Sequence, residues 1–137
     1  MERDIFTARG HPLITSRHRS TLEITRDPHM GTGGDCIVAV SSSKGCLDLS
    51  GGLKRAIREG GEIHLLLEVQ GWTEEVRGVG HPDLELSHPR EMVFRKSDFL
   101  SPRTVFIRSN RAASDLPRDF IALLAEGPEV RITLGSA

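Results

Sequence analysis

The chain has 137 residues, 37% hydrophobic and 27% charged, and its 18 Lys and Arg against 19 Asp and Glu leave a net charge of −1. That length suits one domain with one core, and the near-neutral balance argues against tight generic binding of RNA or DNA, which draws on a strong basic excess. No apolar run approaches the roughly 18 residues of a membrane span, and the acidic N-terminus lacks a secretory signal's apolar stretch, so no membrane partner and residence in the cytoplasm are expected.

Ile5 to Arg9 is read as a strand running into Gly10-His11-Pro12, where proline lacks an N–H and biases His11 toward extended geometry. A second strand follows over Thr21 to Thr25, with Leu22 and Ile24 alternating against polar neighbours. The loop Gly31-Thr32-Gly33-Gly34-Asp35 lacks the Gly-Lys-Ser/Thr ending of a P-loop and precedes a strand, not a helix. It reads as a hairpin connection. Cys36 to Val40 is continuously apolar, as a strand covered on both faces would be, and is expected to be central in its sheet. A short helix comes next, capped by Asp48 or Ser50, with Leu49, Leu53, Ala56 and Ile57 on one stripe and Gly60 as a left-handed stop. Glu62 to Val69 closes this half as a strand, and Trp72, just after Gln70-Gly71, reads as a packing residue at a hairpin.

The same order then returns. Strands over Glu74 to Val79, Glu91 to Arg95 and Thr104 to Ile107 are followed by a helix capped by Asp115, with Pro117 in its first turn and Phe120, Ile121 and Leu124 facing inward. Gly127-Pro128 ends that helix and Glu129 to Leu134 is the last strand. Gly10-His11-Pro12 recurs as Gly80-His81-Pro82, each with a further His seven positions after the first, His18 and His88. Glu59-Gly60-Gly61-Glu62-Ile63 recurs as Glu126-Gly127-Pro128-Glu129-Val130. The offset is 70 between His11 and His81 and 67 between Asp48 and Asp115, a difference of one three-residue indel, for which Gly31 to Gly34 is the natural place. The expected architecture is a single, mainly β domain with two short helices, internally duplicated about a pseudo-two-fold axis, its repeats spanning about 1–70 and 71–137.

Gly-His-Pro with His18, Thr21-Leu22-Glu23-Ile24-Thr25, Gly34-Asp35-Cys36-Ile37, Gly80-His81-Pro82 with His88-Pro89, Arg95-Lys96-Ser97-Asp98 and Arg103-Thr104 form an ordered set. It resembles an uncharacterised archaeal family, domain of unknown function three-seventy-one, over nearly the whole chain. The resemblance implies a β-sandwich of jelly-roll type and an archaeal source. It implies no activity, cofactor or catalytic residue.

Four of the six histidines lie in the repeated turns. An offset of seven is odd, so on an unbroken strand His11 and His18 would face opposite ways, on the order of 23 Å apart. Packing of the halves about a two-fold axis would instead bring His11 toward His81, or His18 toward His88, making a symmetric site. Such a site would serve anion binding, general acid-base chemistry or, as the weaker alternative, a divalent metal. The bland reading is that each ring hydrogen-bonds the backbone and pins its turn. Basic residues gather at the same turns, Arg17 and Arg19 in the first half, then Arg90, Arg95, Lys96 and Arg103. Where Arg and His converge, charge-assisted bidentate contacts suit phosphate or carboxylate. The alternative is a solvated rim balanced by Glu23, Asp27, Glu91 and Asp98. Cys36 and Cys46 read as structural thiols, and Asp35 beside Cys36 argues against a reactive one. His64 alternates with Ile63 and Leu65 and is expected at solvent or a polar edge.

The candidate ligand-binding residues are therefore His11, His18, His81, His88, Arg95, Lys96 and Arg103, with the four histidines as weak metal candidates and no catalytic residue assigned. Three classes of function stand. The first is binding or conversion of a small anionic metabolite, a phosphate or carboxylate, at the junction of the two repeats. The second is an RNA-binding or ribonucleoprotein accessory module, against which stand the absence of Tyr and an aromatic content of 4%. The third is a structural or interaction protein without chemistry; a homo-oligomer is compatible with any of them.

Overall fold

The structure, a computed structural model, describes residues 1–137. In chain order it comprises β1 (Arg3–Arg9), β2 (Thr21–Thr25), β3 (Ile37–Ala39), α1 (Gly51–Arg58), β4 (Glu62–Val69), β5 (Trp72–Val79), β6 (Glu91–Arg95), β7 (Thr104–Phe106), α2 (Arg118–Leu124) and β8 (Glu129–Ser136). A 3-10 turn precedes each helix, at Cys46–Asp48 and Ala113–Asp115. No helix is long and apolar enough to cross a membrane.

The strands make two four-stranded sheets, ordered β1-β8-β4-β5 and β3-β2-β6-β7. Period-two alternation sets the inner face of each. Ile63, Leu65, Leu67 and Val69 of β4 and Val130, Ile132 and Leu134 of β8 point inward from the first sheet, and Leu22, Ile24, Met92 and Phe94 from the second. With Leu53 and Ile57 of α1 and Phe120, Ile121 and Leu124 of α2 they belong to one core cluster of 30 buried residues. Exchanging β1 for β5, β2 for β6, β3 for β7 and β4 for β8 returns both strand orders. The registers agree: Leu66 lies opposite Thr133 where β4 meets β8, and Glu23 opposite Val93 where β2 meets β6. Neither half builds a sheet by itself, because β1 pairs with β8 and β5 with β4.

The predicted third strands lie at the sheet edges, not centrally. Their apolar run is buried for another reason. Val40 leaves β3 to exchange two backbone hydrogen bonds with Arg9, both 2.8 Å, and Ile107 leaves β7 to exchange two with Val79, both 2.9 Å. The two sheets are thus joined at both edges, which removes the free edges that invite pairing with other chains. The jelly-roll type is also corrected. β2 pairs with β3, and β6 with β7, in parallel, whereas a jelly roll is an antiparallel architecture.

Ser50 caps α1 by accepting the Leu53 N–H at 3.3 Å. Asp48 and Asp115, read from the sequence as helix caps, instead close the 3-10 turns by accepting the N–H of Gly45 and Ala112, each at 2.8 Å. Pro117 occupies the position before α2. Gly60 and Gly127 end the helices at φ +85° and +80°, the left-handed region glycine adopts freely. The glycines of the two Gly-His-Pro turns serve close approach. Gly10 donates to the Pro128 carbonyl at 2.8 Å and Gly80 to that of Gly61 at 2.9 Å. A Cβ on Gly10 would overlap the Leu124 carbonyl oxygen, and one on Gly80 that of Ile57. Each turn is therefore seated on the helix end of the opposite half.

Candidate functional site

The turn histidines use their Nδ1 atoms on their own turns. His11 accepts the Leu13 N–H and His81 the Asp83 N–H, both at 3.0 Å. His18 accepts from Ser20 and Thr21 at 3.3 and 3.1 Å, and His88 from Arg90 and Glu91 at 3.1 and 2.9 Å. An accepting Nδ1 carries no proton, which leaves the N–H of the neutral ring on Nε2. The loops are clamped from across the molecule. Arg118 donates to the carbonyls of Thr15 and Ser16, and Arg58 to those of Leu84 and Glu85.

These rings are not brought together. β1 and β5 are opposite edges of the first sheet and run in opposite directions, so His11 and His81 sit at diagonal corners, with about 14 Å of sheet width alone between their strands. His18 precedes β2 and His88 precedes β6, and these strands are antiparallel. Their histidines flank the second sheet from opposite ends. No group of three or more His, Cys, Asp or Glu side chains is placed to hold a metal ion. Lys96 pairs with Asp115 at 2.8 Å, as Arg26, at the corresponding position in the first half, pairs with Asp48 at 3.0 Å.

Arg95 and Arg103 do come together, with partners the sequence reading assigned to a solvated rim. On the outer face of the second sheet, β2 presents Thr21, Glu23 and Thr25, and β6 presents Glu91, Val93 and Arg95, opposite to the core residues between them. Glu23 is only 7% exposed. Arg103 enters from the start of β7 and its Nη1 reaches Glu91 Oε1 at 2.5 Å and Glu23 Oε1 at 3.5 Å. Arg95 makes no ion pair. Its Nε donates to Thr104 Oγ1 at 2.8 Å, an Nη to Ser101 Oγ at 3.4 Å, and its Cζ lies 4.9 Å from the centre of the Phe99 ring. Phe99 is 60% exposed.

The electrostatics follow from burial. Loss of water pushes the Glu23 carboxyl above its ordinary range, Glu91 pushes it further, and Arg103 pulls it back. Burial, then the neighbouring Arg103, lowers the Arg95 guanidinium, while the hydrogen bond to Glu91 raises Arg103. Cys36 Sγ donates to Glu23 Oε1 at 3.7 Å. Burial and Glu23 push the Cys36 thiol up to about 11, and burial pushes Cys46 to about 12. Neither is a ready nucleophile.

The sequence signal for Glu23 lay in the strand alternation that sends it to the face opposite Leu22 and Ile24. Its burial comes from the surrounding loops and was not readable locally. His64 is half-buried on the outer face of the first sheet, 3.4 Å from Glu75 and 3.7 Å from Glu62. Trp72 packs edge-on against Phe120 with ring centres 5.4 Å apart.

A family model described as a domain of unknown function, DUF371, matches residues 6–137. An uncharacterised protein of the archaeon Methanocaldococcus jannaschii is 37% identical over 126 residues, covering 92% of this chain and 93% of the relative.

Proposed function

The chain belongs to the DUF371 family, a membership that brings no reaction with it, and from its own residues we propose that it binds a small anion, a phosphate or carboxylate, where β2 and β6 meet. One observation carries this reading. Arg95 is a half-buried guanidinium with hydroxyl and aromatic neighbours and no carboxylate partner, while Arg103 next to it is held in place by two. A cation partly withdrawn from water, with no carboxylate in contact, favours a ligand that brings one, and its fork suits two oxygens of one group. The test is an NMR titration with inorganic phosphate at low ionic strength. The amides of Ser101 and Thr104 should shift in the wild type and stay still in Arg95→Ala. Shifts that survive that substitution, or none at millimolar phosphate, would sink the proposal.

We also infer that the two halves descend from one duplicated unit. Support comes from the recurring blocks, the self-matching strand orders and registers, and the left-handed backbone at Ser16 and Leu86 and at Ser41 and Arg108, offsets of 70 and 67 again.

A further inference from the structure

Charge on the outer face of the second sheet is unevenly distributed. By contact, Arg103 holds both Glu91 and Glu23, while Arg95 touches no carboxylate and feels Glu23 only through space. Glu91 and Arg95 lie four residues apart on β6, so a carboxylate that shares its cation and a guanidinium that touches no carboxylate occupy two ends of one strand face, with Cα atoms about 13 Å apart. The other groups here do not cancel the difference. His88 Nε2 is 4.0 Å from Glu91, beyond hydrogen-bond reach, and its Nδ1 is taken up accepting two backbone N–H groups. Thr25 Oγ1 accepts the Asp27 N–H. Cys36 holds its proton. Glu23, with a side chain 9% exposed, lies beneath, whereas Glu91 is 26% and Arg103 41% exposed, so Glu91 is the carboxylate a ligand can reach.

Building on the anion site above, we propose that its natural ligand is a zwitterion, an amino acid or an aminoalkyl phosphate, whose anionic group sits on Arg95 and whose ammonium group turns toward Glu91. A bare anion on Arg95 leaves a face of two carboxylates and two guanidinia one negative charge in excess, in surroundings where the field is poorly screened. A ligand carrying its own cation cancels that excess and sets a positive group beside the exposed Glu91.

Two matched pairs of probes test this by calorimetric or NMR titration at neutral pH: phosphoethanolamine against ethyl phosphate, and β-alanine against propionate. In at least one pair the zwitterion should bind about tenfold more tightly than its bare anion, a difference of about one decade in Kd. Glu91→Gln, checked for an unchanged fold by its melting curve, should bring the two members within about twofold of each other while the bare anion still binds. Arg95→Ala should abolish both. Bare anions that bind as tightly as the zwitterions would overturn the zwitterion assignment and leave the anion site standing. Failure of all four probes to bind would overturn both.

Discussion

The two ends of the second sheet's outer face share a backbone and differ in chemistry. At positions related by the same offsets, the first half supplies Thr21, Thr25 and Cys36, and the second supplies Glu91, Arg95 and Arg103. On the line between them Glu23 faces Val93. The frame is held in matched pairs by glycines and helix stops remote from that face in their contacts, and by turn histidines that touch only its two ends, at Thr21 and Glu91. Side chains on the face can therefore diverge while the strands beneath keep their register. A matched frame with an unmatched face is how one fold separates stability from recognition.

The largest expected effect falls on the frame. Gly10→Ala and Gly80→Ala each place a methyl on a helix-end carbonyl of the opposite half, which only backbone movement relieves. Each should cost about 3 kcal/mol or more, a drop on the order of 10 °C in Tm, and the two losses should be alike. A calorimetric scan in which one variant melts like wild type would break the comparison.

On the face the two halves should respond unequally. Arg103→Ala leaves Glu23 nearly buried beside Glu91 with no cation in contact, Arg95 acting on it only through space. Since Arg103 itself is partly exposed, the cost should be about 1–2 kcal/mol, below that of a fully buried pair. Cys36→Ala at the matching position should cost under about 1 kcal/mol. Combining Arg103→Ala with Glu23→Gln should restore most of the loss, and urea denaturation of the four proteins would expose any failure of that rescue.

The next effect is a pH dependence. The raised Glu23 carboxyl binds its proton more tightly in the folded protein than in the unfolded chain. Its contribution to stability is therefore present below the ordinary value of 4.5 and is lost as pH rises through the folded value. Asp4 and Asp115 act with the opposite sign. For Asp4 burial is outweighed by Ser50 and Lys44, and Asp115 is lowered chiefly by Lys96. Both contributions are lost as pH falls below 3.8. Glu23→Gln should flatten the falling limb above pH 4.5 alone, and melting curves from pH 4 to 7 that coincide in slope with wild type would contradict this.

Smallest are the turn histidines. His18→Ala and His88→Ala each strip acceptors from two backbone N–H groups near solvent, worth about 0.5–1.5 kcal/mol. Both should melt a few degrees lower and retain the phosphate response of the Ser101 and Thr104 amides. Loss of that response in the folded variants would return the histidines to the binding site.

What the sequence made legible follows from range. Thr21–Thr25 and Glu91–Arg95 coincide with the observed strands because their alternation is local. Gly60 and Gly127 mark helix ends for the same reason. Cys36–Val40 was misplaced in its sheet because an apolar run reports burial and not the neighbour that causes it. Here that neighbour is Arg9, reached only after the sheets close. Arg95 and Arg103 were readable as basic residues near a turn. Glu23 and Glu91 looked like the charges that solvate such a turn, and only the pairing of β2 with β6 turns them into partners of Arg103.

The crossing of strands between halves has a mechanical consequence. The halves are joined by the tight Gln70-Gly71 turn alone, yet β1 with β8, β4 with β8, β4 with β5 and β2 with β6 all tie one half to the other. A peptide bond cut at that turn would sever the chain without separating its pieces. The nicked protein should travel as one particle, behaving as a dimer whose subunits happen to be encoded in a single chain.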